Sequence, residues 1–312
     1  MPHLSIARLF EDNRDKLKLS WTAGRGGATK DLDSELIKDS SKGLIGHLNF
    51  IHPNLIQVLG ASEAEYLNGL DPEECRKMLT KVATRDLACF IVAGSDTVPA
   101  GLTAAADATQ TPLFLSPVAS VELMWMLRPY LARALAESTT AHGVFLDVLG
   151  MGVLITGASG VGKSELALEL ISRGSGLIAD DVVELYRVGP ETVEGRCPDL
   201  LRDFLEVRGL GVLNVRTVFG EAALRPRKNL KLIVHLERPA RGDAVPIERL
   251  PLRPGVEEVM GVSMGKVTIP VAAGRNLAVL TEAAVRNHVL QLRGIDSTQE
   301  FVSRQAQQME GE

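Results

Sequence analysis

The chain has 312 residues, which predicts two domains, and its hydrophobic content of 45% supports ordinary buried cores. A formal net charge of −5 argues against a nucleic-acid binder that relies on phosphate contacts, since no basic excess exists to release counterions. Three scattered cysteines indicate neither a disulfide framework nor a zinc site, and the absence of a leader or of a long apolar stretch predicts a cytoplasmic protein without a membrane partner.

Residues 1–131 have the pattern of a small α/β domain. Apolar runs predict strands at residues 54–60, 87–92 and 111–115. Between these runs, Ser62 and Glu65 have capping-box spacing, and the Asp-Pro-Glu-Glu sequence at 71–74 is typical of a helix start. Strands that alternate with helices predict a mainly parallel sheet with helices on its faces.

A long helical pattern opens at Ser116 and Pro117, and we expect it to link two domains. Its apolar positions are Val121, Met124, Trp125, Leu127, Leu131 and Leu135. Pro129 is expected to kink this helix. We therefore predict an N-terminal α/β domain of unclear role over residues 1–131 and a second domain over residues 132–312.

Residues 157–164 have the pattern G-x-x-x-x-G-K-S of a phosphate-binding loop. Its glycines let the backbone aim several N–H groups at one point, the lysine can reach the β- and γ-phosphates, and the serine hydroxyl can ligate Mg²⁺. An apolar run at 153–156 predicts a strand before the loop, and residues 165–171 predict a helix after it, with Gly174 at its end. We therefore assign nucleotide phosphate binding to Gly157, Ala158, Ser159, Gly160, Val161, Gly162, Lys163 and Ser164.

Two acids follow the next apolar run, at 177–179. Asp180 and Asp181 would lie near bound metal and the γ-phosphate, and one of them could act as a general base toward a hydroxyl. A turn pair at a strand end is the alternative. Glu237 is a rival acid, because it closes an apolar run as the metal-linked carboxylate of an ATPase does. No second nucleotide motif follows it, and the guanine-recognition motif N-K-x-D is absent, which weakens a motor or GTPase hypothesis.

Glu206 and Arg208 are two residues apart, so a strand would place them on one face. A carboxylate beside a guanidinium suits metal and phosphate binding. On these residues alone, a structural ion pair followed by a turn is favoured.

The rest of the chain predicts further regular elements. Strands are expected at residues 230–236, 267–271 and 277–280, and a helix from Thr281 to Leu292 with Gly294 beyond it. Ser297 and Glu300 have the spacing of a capping box for a terminal helix.

Together these motifs resemble the HPr kinase/phosphorylase family, bacterial enzymes that phosphorylate a serine of the phosphocarrier protein HPr and also remove that phosphate. The resemblance covers the whole C-terminal half, and the N-terminal half resembles the family's less informative domain. Its segments follow the family's order and spacing: A-H-G-V at 141–144, G-A-S-G-V-G-K-S-E at 157–165, L-I-A-D-D at 177–181, L-E-V-R-G-L-G-V-L-N at 205–214 and P-V-A-A-G-R-N at 270–276.

The resemblance implies a role for each matching residue. Lys163 would hold the phosphates, and Asp181 would accept the serine proton in phosphorylation and return it in the reverse direction. Asp180 would support the metal or the fold beside it. His142 would be a catalytic neighbour of Asp181, and Arg249 matches the family's mobile arginine over the active site.

The resemblance also implies metal ligands and two functional segments. Ser164 and Glu206 would bind Mg²⁺. The segment implied in both activities comprises Leu205, Glu206, Val207, Arg208, Gly209, Leu210, Gly211, Val212, Leu213 and Asn214. The segment implied chiefly in dephosphorylation comprises Pro270, Val271, Ala272, Ala273, Gly274 and Arg275. Residues 262–266 lack the prolines of some members, so the balance between the two activities is open.

The fold implied is an α/β fold, with a small N-terminal α/β domain and a C-terminal P-loop kinase domain of the phosphoenolpyruvate-carboxykinase-like type. The reactants implied are ATP, Mg²⁺, HPr or a related phosphocarrier, and inorganic phosphate as co-substrate of the reverse reaction, which yields pyrophosphate. A homo-oligomer, usually a hexamer, is implied too. The loop and acids alone also permit a small-molecule kinase, and a nucleotide-dependent switch without phosphotransfer is a further alternative.

Overall fold

The computed structural model describes residues 3–33, 42–83, 86–238 and 255–310. The chain divides into two compact units, Met1–Glu137 and Ser138–Glu312. Leu131, where the sequence predicted the boundary, lies within the last helix of the first unit, Ser120–Ala134.

The first unit is built on a five-stranded sheet with helices on its faces. Its strands, in spatial order, are Ser20–Ala23, Leu113–Ser116, Cys89–Ala93, Ile56–Leu59 and Ile45–His47. All neighbours run parallel except Ser20–Ala23 at the edge, which confirms the predicted mainly parallel sheet. The strand Cys89–Ala93 is buried throughout and contributes alternate residues to two apolar clusters, as expected of a sheet covered on both sides.

Helices and a small second sheet complete this unit. The strands His3–Ser5 and Asp31–Asp33 pair antiparallel. The helices are Ile6–Leu17, Ala61–Asn68, Pro72–Val82, Ala100–Ala108 and Ser120–Ala134, with a short 3₁₀ turn at Arg25–Gly27. Pro129 lies inside the last of them, which begins a few residues after the predicted Ser116–Pro117 start.

Two helix starts in this unit test the capping predictions. Asp71 caps the helix Pro72–Val82 as predicted, since its carboxylate accepts from the N–H groups of Glu73 and Glu74. The predicted capping box at Ser62 and Glu65 is wrong. The helix begins at Ala61, after the N-cap Gly60, and Glu63 accepts from the Gly60 N–H over 3.0 Å.

The second unit contains a nine-stranded mixed sheet. The strands along its main path, in spatial order, are Gly176–Ala179, Val144–Val148, Met151–Gly157, Arg227–Glu237, Thr192–Arg196, Val182–Gly189 and Glu137–His142. The strand Val262–Pro270 also pairs with Arg227–Glu237, and Gly255–Val259 pairs with Val262–Pro270. Three neighbours, Met151–Gly157, Arg227–Glu237 and Val262–Pro270, run parallel, so their carboxyl ends share one edge.

A hairpin and helices surround this sheet. The hairpin pairs Phe204–Val207 with Gly211–Asn214. The helices are Lys163–Ser172, Val215–Phe219, Leu277–Leu292 and Ser297–Glu310, with 3₁₀ turns at Asp199–Leu201 and Glu221–Ala223. Two apolar clusters form the core, one on each side of the parallel strands: Ile155 and Val234 belong to one, Leu154 and Ile233 to the other.

Two predictions for the C-terminal region are wrong. Residues 277–280 form the first turn of the helix Leu277–Leu292 rather than a strand, because Asn276 caps that helix by accepting from the Val279 N–H over 2.9 Å. A four-residue apolar run fits either structure, and here the cap decides. The terminal helix is capped by Asp296, which accepts from the Thr298 N–H, rather than by Ser297.

The three cysteines form no disulfide. Cys75, Cys89 and Cys197 are free thiols in buried positions. Among the described residues, every helix is too short or too polar to cross a bilayer.

Candidate active site

The phosphate loop joins the end of the strand Met151–Gly157 to the start of the helix Lys163–Ser172. Gly157, Gly160 and Gly162 have φ angles of 140°, 71° and 107°, a region that favours glycine. A Cβ built on Gly157 would also lie 2.5 Å from the carbonyl oxygen of Leu236. The motif's glycines therefore permit both the backbone path and the close approach of the neighbouring strand.

Lys163 lies over its own loop. Its Nζ donates to the carbonyl oxygens of Gly157, at 3.1 Å, and Ala158, at 3.2 Å. These two hydrogen bonds hold the Lys163 ammonium group at the loop, where a phosphate bound by the loop's N–H groups would contact it.

Asp180 connects the loop to the hairpin. It is 7% exposed, its Oδ1 accepts from the Ser164 hydroxyl over 3.4 Å, and its Oδ2 accepts from the Glu206 N–H over 2.9 Å. Burial raises the pKa of the Asp180 carboxyl, and the bond from the Glu206 N–H opposes that rise. One buried acid thus links three of the segments that the sequence singled out.

Asp181 is exposed and has a φ of 62°, a conformation that Asp and Asn tolerate better than most residues. Its carbonyl accepts from the Gly143 N–H over 3.1 Å. His142 is exposed at the end of the strand Glu137–His142. Gly143, the residue after His142, therefore contacts Asp181 through the backbone. The side chains of His142 and Asp181, both described, are not hydrogen-bonded to each other.

The hairpin has a buried face and an exposed face. Leu205 and Val207 are buried, whereas Glu206 is exposed and lies opposite Val212. Arg208 and Glu206 are both described, and they do not form the predicted ion pair. Its guanidinium lies instead at the phosphate loop, where a Cβ built on Gly160 would come within 2.9 Å of Nη1.

The segment 270–275 also reaches the loop. The Val271 N–H donates to the Glu237 carbonyl over 2.8 Å, and Gly274 and Arg275 line a cavity of about 420 Å³ together with Gly162 and Glu165. Glu237, the rival acid, is exposed at the end of its strand. Arg249 lies outside the described residues.

One residue near the loop was not predicted from the sequence. Arg238 follows Glu237 at the carboxyl end of its strand, and its Nη2 donates to the Gly160 carbonyl over 2.5 Å. The sequence does place Arg238 just after a predicted strand. It does not show which strand lies beside the phosphate loop, so the contact with Gly160 could not be predicted.

Protein ligands for a metal are few in this region. Within the residues that the structure describes, no group of three or more His, Cys, Asp or Glu side chains converges as a metal site. Mg²⁺ usually needs only one or two carboxylates when phosphate oxygens complete its shell. Ser164 and Asp180, which are hydrogen-bonded to each other, fit such a sparse donor set.

Known proteins and family models match this chain along nearly its whole length. The model of the HPr Serine kinase N terminus matches residues 4–131, and that of the HPr Serine kinase C-terminal domain matches residues 133–305. A protein of Nitrosomonas europaea named HPr kinase/phosphorylase is 57% identical over 311 residues, covering 100% of this chain and 96% of the relative.

Two further similar proteins have related names. The HPr kinase/phosphorylase of Chromobacterium violaceum is 53% identical, over 97% of this chain and 95% of its own. The solved structure of the Hpr(Ser) kinase/phosphatase from Coxiella burnetii is 37% identical, with a TM-score of 0.46, and the match covers 52% of this chain and 98% of that one.

Proposed function

This chain belongs to the HPr kinase/phosphorylase family, and we propose that it is a bifunctional enzyme that phosphorylates a serine of HPr with ATP and removes that phosphate by phosphorolysis. The observation that carries the proposal is the position of Asp180, which bonds both the Ser164 hydroxyl and the Glu206 N–H. It brings a phosphate loop, an acid pair and the hairpin into one site, as phosphoryl transfer requires.

In the forward direction the loop N–H groups and Lys163 hold the nucleotide phosphates. Asp181, which is exposed, accepts the proton of the incoming serine hydroxyl. The serine oxygen forms a bond to the γ-phosphorus as the bond to the β-phosphate oxygen breaks, and ADP leaves. Because Asp181 is open to solvent, a hydroxyl on the surface of a whole protein can reach it.

In the reverse direction an oxygen of inorganic phosphate attacks the phosphorus of phosphoserine. The bond from phosphorus to the serine oxygen breaks, pyrophosphate forms, and Asp181 returns a proton to the leaving serine oxygen. Microscopic reversibility lets one acid–base group serve both reactions. The cavity lined by Gly274 and Arg275 beside Gly162 supports a role of the segment 270–275 in this direction.

Ser164 and Glu206, with support from Asp180, would hold Mg²⁺ against the phosphates. When bound, the ion neutralises charge that develops on the transferred group. These few protein ligands are enough for Mg²⁺, because oxygens of the substrate phosphates and water would complete its coordination.

The finer parts of the proposal follow from the family resemblance. They are a catalytic domain over residues 132–312 of the phosphoenolpyruvate-carboxykinase-like type, a hexameric assembly, a cytoplasmic location, and participation of His142 and Arg249 in catalysis. Sedimentation of the purified protein tests the assembly.

One experiment tests the function. Purified protein is mixed with HPr, ATP and Mg²⁺, and phosphoserine on HPr is detected by mass spectrometry. Inorganic phosphate is then added, and pyrophosphate is measured together with the loss of phosphoserine. Phosphorylation of a metabolite instead of HPr would indicate a small-molecule kinase, and nucleotide binding without any transfer would indicate a regulatory switch. Either result would overturn the proposal.

A further inference from the structure

Two guanidinium groups lie close to Gly160 in the phosphate loop. Arg238 Nη2 donates to the Gly160 carbonyl over 2.5 Å, and Arg208 Nη1 would lie 2.9 Å from a Cβ built on the same glycine. The two arginines come from separate elements, the carboxyl end of the strand Arg227–Glu237 and the turn of the hairpin. Their meeting point is therefore a product of the fold.

Most of their hydrogen-bonding capacity is unused. A guanidinium carries five N–H donors. In the part of the chain that the structure describes, Arg238 uses one donor, on the Gly160 carbonyl, and Arg208 makes no hydrogen bond. Both side chains are exposed, and neither forms an ion pair with a described residue. Two cations with free donors beside an anion cradle are chemically suited to bind a further anion.

The two arginines contact a different part of the loop from the Lys163 ammonium group. The lysine bonds the carbonyls of Gly157 and Ala158, whereas Arg238 bonds that of Gly160. The reverse reaction of the proposed function brings inorganic phosphate and phosphoserine together, each with a charge of about −2. One lysine offsets a minor part of that charge, so further cations are needed where the second phosphoryl group lies.

We propose that Arg208 and Arg238 together bind the phosphoryl group that is transferred, while Lys163 and the loop N–H groups hold the phosphate that stays. This inference rests on the proposed function for the identity of the transferred group. It assigns a substrate contact to Arg238, which belongs to none of the motifs described above.

A purely structural role for Arg238 predicts something different. If the arginine only held the Gly160 carbonyl, its loss would loosen the whole loop, and every anion bound there would be affected to the same degree. If it binds the transferred group, a ligand with two phosphates will be affected more than a ligand with one.

Calorimetric titration of the full-length protein with Mg²⁺ separates these roles. The ligands are pyrophosphate, which spans both subsites, and orthophosphate, which fills the Lys163 end. We expect Arg238→Gln and Arg208→Gln each to weaken pyrophosphate binding about tenfold or more, the usual effect of losing a charge-assisted hydrogen bond, and to change orthophosphate binding less than about threefold. Arg238→Lys, which keeps the charge, is expected to restore part of the pyrophosphate affinity.

The matched control is Arg187→Gln, because the guanidinium of wild-type Arg187 also donates to one backbone carbonyl, that of Pro190, over 3.2 Å. It should leave both affinities unchanged. Equal losses for the two ligands in Arg238→Gln, or no loss for pyrophosphate, would overturn the inference. The titration needs no acceptor protein, so it stays informative even if wild-type protein fails to phosphorylate HPr. Should Arg208→Gln fold poorly, as thermal melts would reveal, the Arg238 variants decide alone.

Discussion

The Glu206 backbone N–H donates to Oδ2 of Asp180 over 2.9 Å, and the other oxygen of that carboxylate accepts from the Ser164 hydroxyl. A single buried carboxylate therefore positions the hairpin and the first helical turn after the loop. Because burial raises the pKa of Asp180 above its ordinary value, the charged carboxylate is less favourable in the folded protein than in the unfolded chain.

Replacing Asp180 by Asn should change how stability depends on pH. An acid with a raised pKa in the folded state contributes stability that is present below its unfolded pKa and is lost as pH rises through the folded pKa. We expect wild type to lose thermal stability relative to Asp180→Asn as pH rises from about 4 toward neutrality. Melting curves in EDTA at a series of pH values measure this difference. A difference that is constant across the series would contradict the raised pKa of Asp180.

Asp181→Asn should remove most of both activities and leave nucleotide binding nearly intact. The amide cannot accept the serine proton, and general acid–base help is worth about 10²–10⁴-fold in rate. Asn tolerates the left-handed φ of 62° at this position, so the backbone should keep its path. Rates of HPr phosphorylation and dephosphorylation are compared with the affinity for ATP. Near wild-type phosphorylation in this variant would disprove the proton-acceptor role.

Lys163→Ala should weaken nucleotide binding itself. The lysine bonds only carbonyls of its own loop in the described residues, so its removal should not unfold the protein. We expect the affinity for ATP to fall about 10- to 100-fold, as for the loss of charge-assisted bonds. Titration with ATP measures the loss. Lys77→Ala, at an exposed position of the helix Pro72–Val82 in the other unit, is the control and should bind ATP as wild type does. Unchanged affinity in Lys163→Ala would argue against phosphate binding by this loop.

Gly160→Ala should reduce activity beyond its cost in stability. Both Gly160, with a φ of 71°, and Gly174, with a φ of 98°, have backbone conformations that alanine adopts poorly, so each substitution should cost about 1 kcal/mol or more. A Cβ on Gly160 would also displace the Arg208 guanidinium, whereas a Cβ on Gly174 would meet nothing within 4 Å.

Thermal melts and kinase rates of the two glycine variants separate these effects. Similar losses of stability are expected, with a loss of rate confined to Gly160→Ala. If both variants kept the wild-type rate, the position of the Arg208 guanidinium beside Gly160 would not matter for catalysis.

The sequence predicted the parts of the site that depend on local backbone geometry. The phosphate loop is an example, because its glycines and its lysine dictate one conformation over a few residues. The helix start at 277 was missed, since four apolar residues in a row satisfy a strand as well as a buried helix turn, and the Asn276 cap settles the choice. Arg238 was missed for a different reason: its contact with Gly160 depends on which strand lies beside Met151–Gly157.

The parallel pairing of Met151–Gly157 with Arg227–Glu237 has a consequence for insertions and deletions. Gly157 pairs with Leu236, so the distance of Arg238 from the loop is set by the number of residues along the second strand. Deleting one residue there would draw the arginine back by about 3.3 Å and turn inward side chains outward. Changes of chain length should therefore be tolerated in the connections at the opposite edge of the sheet, and should abolish phosphate binding when they fall inside either strand.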